Sequence, residues 1–176
     1  MAIATRQTQT STATAAGRLS SSQVWDVVTR NSFAVVSHIT PDGAPRSSGV
    51  VYTSIGHRLF VVVGADSWKA RHIALAGRVA VTVTVRRGGV LSLVFPIPPA
   101  AISFHGRTVV HQPGTLPIAE VVEALDKLAP LMPPYQRDEV AVIEIIPEGH
   151  FLTYGIGVSL MQMRDPTQAS ARVPVS

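Results

Sequence analysis

The chain has no cysteine, which excludes disulfides, thiolate catalysis and cysteine-ligated zinc and agrees with a reducing cytoplasm, the compartment expected here. Charged residues are scarce, at 15% of 176 positions, and no acid precedes Asp26. No apolar run reaches the ~18–20 residues that cross a bilayer, because prolines and alternating polar residues interrupt each one. No membrane segment is expected. The formal charge is +4 and the pI near 10.1, yet the basic residues are scattered. Nucleic-acid binding needs a basic patch, and none is present, so it is not expected; an anionic small ligand fits the charge equally well.

Several catalytic signatures are also missing. There is no Gly-x-Ser-x-Gly elbow and no Walker loop, and Gly155-Ile156-Gly157 lacks the third glycine and following helix of a dinucleotide fingerprint. The six histidines, at 38, 57, 72, 105, 111 and 150, form no i, i+4 pair on an expected helix. No metal site follows, and no protein acid or base stands out as catalytic.

Hydrophobic residues make up 46% of the chain, enough for one domain with a real core. Residues 1–22, rich in Thr, Ala and Ser, read as a disordered tail, 23–157 as the domain, and 158–176 as a C-terminal tail, disordered or draped over a partner. Ser20 with Gln23 resembles a capping box opening a helix over about 21–30. Strand patterns follow at 33–39, 46–55, 58–63, 78–85, 90–95, 101–111, 139–146 and 151–156, with Gly106 a candidate bulge and Arg86-Arg87 a solvated hairpin tip. Trp25 and Tyr154 read as packing residues. Pro117 opens a second helix, with Ile118, Val121, Val122, Leu125 and Leu128 at helical spacing. The whole reads as mainly β: a six- to eight-stranded antiparallel barrel with two to three peripheral helices.

The organising stretch is Asp66-Ser67-Trp68-Lys69-Ala70-Arg71-His72, between two valine-rich strands. Ser67 or Asp66 supplies an N-cap and Gly77 a helix end. The first turn carries Lys69, Arg71 and His72, whereas the helix dipole favours anions at that end. Only two of the fifteen basic residues are lysines, Lys69 and Lys127. Free N–H groups, a capping hydroxyl and a lysine together make a phosphate site.

The order of strand, Pro41-Asp42-Gly43-Ala44-Pro45-Arg46 turn, strand, short turn, strand, then Ser67-x-Lys69 opening a helix before a valine-rich strand resembles the flavin-binding split barrel of the pyridoxamine 5′-phosphate oxidase-like superfamily. The likeness covers roughly residues 24–146. It implies a homodimer with flavin sites at the subunit interface and a small-molecule substrate. Arg46 and Lys69 with Ser67 would hold the FMN phosphate, main chain around Val50, Val62 and Val63 would lie along the ring or ribityl chain, and Ser48 and Trp68 complete the cofactor-binding set, Trp68 by stacking or packing. The flavin carries the redox chemistry of such proteins, so the resemblance implies a flavin-dependent oxidoreductase. A 5-deazaflavin is the alternative cofactor, its longer anionic tail drawing on Arg46, Arg71 or His72. A barrel that binds flavin or a haem-like ligand without turnover is the alternative function. Trp68 stands where the oxidase has arginine, Val51 replaces its lysine, and the C-terminal arginine-and-histidine signature is missing, so pyridoxamine phosphate is not the expected substrate.

Overall fold

The computed structural model describes residues 19–87, 97–115, 118–131 and 139–176. The expected strand at 90–95, the helix opening at Pro117 and the tail before Leu19 lie outside them. Helix α1 (Ser21–Arg30) begins where Ser20 accepts from the Gln23 N–H while the Gln23 side chain accepts from the Ser20 N–H, the reciprocal capping box. Its face of Val24, Trp25 and Val28 is buried.

Among the described residues, eight strands then form one antiparallel sheet that curls into a half-barrel. They are β1 (Phe33–Ile39), β2 (Pro45–Val51), β3 (Thr53–Ile55), β4 (Arg58–Gly64), β5 (Arg78–Val85), β6 (Ala100–His111), β7 (Val140–Tyr154) and β8 (Ser170–Pro174). The order across the sheet is β2-β1-β5-β6-β7-β4-β3, with β8 on β7. The mainly β split barrel expected from the sequence is the fold observed.

Five details differ from the sequence reading. The run 46–55 is two strands, because Tyr52 leaves the ladder: its N–H donates to Ser32 and its hydroxyl to Val28. The runs 139–146 and 151–156 are one strand of 15 residues. It pairs with β6 along one edge, and with β4 and then β8 along the other. The segment expected as a polar tail therefore ends in a paired strand, preceded by the short helix α4 (Pro166–Ala169) capped by Asp165. The irregularity of β6 falls between Ser103 and His105, whereas Gly106 is a point of close approach, where a Cβ would stand 2.7 Å from the Ile146 carbonyl oxygen. Finally, Arg87 is no solvated tip, since it donates to the Val158 carbonyl and the Met163 sulfur.

Besides α1, two further helices of the described residues cover the barrel. Helix α2 (Trp68–Ala76) buries Ala70 and Ile73 in the main core with the inward residues of β1, β5 and β6. Helix α3 (Ala119–Leu128) buries Val121, Ala124 and Leu128 against Phe60, Val62, Val140 and Val142 on the outer face. Strand β4 is thus covered on both sides, which is why its sequence is continuously apolar. The β3–β4 hairpin closes through Gly56 (φ 55°) and His57 (φ 59°), the left-handed pair of a two-residue turn. His57 is held there by stacking on Trp25, with ring centroids 4.6 Å apart.

Candidate functional site

The chain leaves β4 at Gly64 and enters α2 within four residues. Ser67 is the N-cap (φ −65°, ψ 143°), its Oγ accepting from the Ala70 N–H at 3.2 Å, and Gly77 ends the helix in the left-handed conformation. No acid occupies the first turn. Lys69 is half-buried and forms no ion pair among the described residues. Burial lowers the pKa of its ammonium, as expected for a cation withdrawn from water without a compensating charge.

The facing wall comes from β1 and β2. Ala34 pairs with Val50, Val36 with Ser48 and His38 with Arg46, and directly opposed residues share a face of the sheet. Along β1 the inward residues Ala34 and Val36 are apolar, and His38 continues their series at only 4% exposure. Neither of its ring nitrogens has a partner. Ser48 Oγ and His72 Nδ1 are likewise buried and unpartnered, and these four atoms are the complete set of that kind among the described residues. Buried polar atoms are ordinarily satisfied, so their concentration in one corner marks a place built for something that supplies hydrogen bonds.

Three rings define that corner. The His38 centroid lies 5.8 Å from Trp68 and 5.9 Å from His72, which lie 5.7 Å from each other. Burial lowers the His38 pKa, and the charges of His72, Lys69 and Arg46 lower it further, so all three act on one point. The acid that senses this cluster is Asp42. It is solvent-exposed, and a hydrogen bond from Thr40 lowers its pKa ahead of the weaker effect of Arg46 and His72.

Arg46, Ser48, Trp68 and Lys69 are thus brought together, with Ser67 at the helix start. Trp68, 44% exposed, packs beside His38 and makes one wall of the corner. Arg71 is exposed and points to no described partner. The valines contribute differently. Val50 and Val63 are buried in the main core and Val62 under α3, so any contact from them is through main chain. Strand β2 ends the sheet on its outer side, and β3 pairs with β4 only as far as Phe60. The edge of β2 at Val50 that faces away from β1, and the edge of β4 at Val61–Gly64 that faces away from β7, therefore carry no strand partner among the described residues. They form two lips of the split, with the start of α2 at one end.

Sequence reasoning missed His38, although the alternation of Ala34, Val36 and His38 already placed it on the inward face. The set matches the chemistry of an anion site. Arg46 and Lys69 supply charge, the α2 N–H groups and Ser67 supply donors, and the unpartnered Ser48 and histidine atoms supply the remaining polar contacts. Among the described residues no cluster of three metal-ligating side chains occurs.

No family model and no curated protein matches the sequence. Solved structures do match. A Listeria innocua protein named for pyridoxamine 5′-phosphate oxidase has a TM-score of 0.54 at 15% identity, over 73% of this chain and 93% of its own. An FAD-binding protein from Mesorhizobium loti has a TM-score of 0.57 at 18% identity, over 74% and 91%. A heme binding protein from Mycobacterium smegmatis has a TM-score of 0.63 at 14% identity, over 88% and 57%. At these identities the shared property is the fold, the split barrel of the pyridoxamine phosphate oxidase-like proteins.

Proposed function

We infer that this split barrel is a flavin-dependent oxidoreductase that binds FMN between two copies of the chain and acts on a small molecule other than pyridoxamine phosphate. The observation that carries the reading is the corner at the start of α2, where a partly desolvated Lys69 with no ion-pair partner among the described residues and Arg46 surround the unpartnered His38. An anionic phosphate placed there would relieve the desolvation of Lys69 and give the buried polar atoms a partner. The FAD-binding neighbour of the same fold supports it. FMN supplies the electron- and hydride-transfer chemistry. The chain's own part is to bind the phosphate through Arg46, Ser67 and Lys69, to offer main chain at Val50, Val62 and Val63, and to wall the corner with Trp68.

A second copy of the chain is supported by the outward face of β1 and β2, where Phe33 and Ile39 are half exposed and Val51 joins them. Single exposed apolar residues are ordinary, but these three lie on adjacent, register-paired strands. A 5-deazaflavin draws on the same site, with His72 as the further group for its longer anionic tail.

The heme binding protein of the same fold favours a second reading, a barrel that holds its ligand without turnover. One experiment separates them. Purified protein is titrated with FMN by quenching of flavin fluorescence, then reduced anaerobically with a reduced nicotinamide. Saturable quenching followed by bleaching of the flavin band is expected of the oxidoreductase. Binding of FMN or haem with no reduction by any donor would favour the carrier.

A further inference from the structure

We propose that the outer face of the barrel carries a second ligand site, beneath α3, that takes a small hydroxylated aromatic molecule of the phenol class. It stands on three observations independent of the flavin reading. The first is a cavity of about 200 Å³ lined by Val121, Val122 and Leu125 of α3, Val140 and Val142 of β7, and His111 at the end of β6. An apolar cavity of about 150 Å³ holds a benzene ring, so this one has room for a ring bearing one small substituent.

The second observation is the hydrogen bonding of the imidazole. His111 pairs with Val142 and shares its outward face, and its Nε2 lies 2.8 Å from Glu144 Oε2. Glu144 is 4% exposed, and its other oxygen accepts from Arg58 Nη1 at 2.7 Å. Burial alone would raise the Glu144 carboxyl, but the bonds from Arg58 and His111 outweigh it and hold its pKa below the ordinary value. A carboxylate has no proton to give, so His111 Nε2–H donates. In the neutral imidazole Nδ1 is then an acceptor.

The third is that Arg58 also reaches Glu120 of α3 at 3.3 Å, so the polar network clamps the helix that roofs the cavity and presents the imidazole from a fixed position. A ring among the valines and Leu125, with its hydroxyl donated to Nδ1, uses both the apolar part of the lining and the imidazole beside it.

The probes are phenol and toluene, which differ by the hydroxyl. Burying an unpaired hydroxyl is costly, so a cavity that is merely apolar would favour toluene. Each is titrated into ¹⁵N-labelled protein and read by chemical-shift changes. The expected result is saturable shifts at α3, β7 and the His111 ring, with phenol bound several-fold more tightly than toluene. His111→Leu, which removes the acceptor while Glu144 keeps its bond from Arg58, should remove that preference. Val122→Phe, which fills the cavity without touching the network, should abolish both. Absence of saturable shifts, shifts confined to other surfaces, or tighter binding of toluene would overturn the site.

Discussion

His38 stands directly opposite Arg46 in the β1–β2 ladder, so the one buried imidazole of β1 faces a cation across the strand pair. With Lys69 and His72 also acting on it, His38 is held in its neutral form. The unfolded chain, whose imidazole titrates near about 6.5, binds the proton more readily. Stability contributed by neutral His38 is therefore present above pH ~6.5 and falls as the pH is lowered through that value. His38→Leu should flatten this part of the stability profile, measured by urea denaturation between pH 7.5 and 5. An unchanged slope would show that the groups around His38 do not control it. The depressed Glu144 carboxyl acts in a separate window, below the ordinary carboxylate range.

Tyr52 donates its hydroxyl to the Val28 carbonyl at 2.6 Å, and burial raises its pKa. The same carbonyl accepts from the Asn31 N–H at 3.2 Å, so it keeps a partner when the hydroxyl is removed. Tyr52→Phe should therefore cost only about 0.5–1.5 kcal/mol of unfolding free energy by urea denaturation. A loss well above that range would mean the hydroxyl holds more than the α1 contact.

Gly106→Ala should be harsher than its size implies. The added methyl would meet the Ile146 carbonyl oxygen at 2.7 Å and Ile145 Cγ2 at 3.0 Å, and the first of these is backbone in a paired strand that cannot rotate away. A destabilisation of about 1–3 kcal/mol is expected. Unchanged denaturation would indicate that β6 and β7 separate more readily than their continuous pairing implies.

Much of this was legible in the sequence, because local rules and the fold agree there. The capping box at Ser20, the Ser67 cap, the Gly77 stop and the 78–85 strand follow from short-range chemistry, and each lies where that chemistry places it. What escaped was set by distant partners. Phe151 lies in the middle of a single long strand because β8 pairs alongside it, and β8 itself reads as a polar tail until its partner edge is known. Arg87 resembles a solvated tip until Val158 and Met163 arrive from far along the chain. At the site, the charged and capping residues were visible as a broken dipole rule at Lys69. His38 was not, because its burial depends on Trp68 and His72 closing over it. The roles of Val62 and Val63 divided for a similar reason, since only the placement of α3 decides which side of β4 is covered by what.

The central claim is that the start of α2 holds the phosphate of a flavin, and the direct measurement is the dissociation constant of FMN against that of riboflavin, which differ by that phosphate alone. The wild-type chain should bind FMN more tightly by about 10- to 100-fold, the equivalent of charge-assisted bonds worth about 1.5–3 kcal/mol. Lys69→Ala should weaken FMN and leave riboflavin nearly unchanged, closing most of the gap. Equal affinities for the two ligands in the wild-type chain, or a gap untouched by loss of the Lys69 ammonium, would contradict the account.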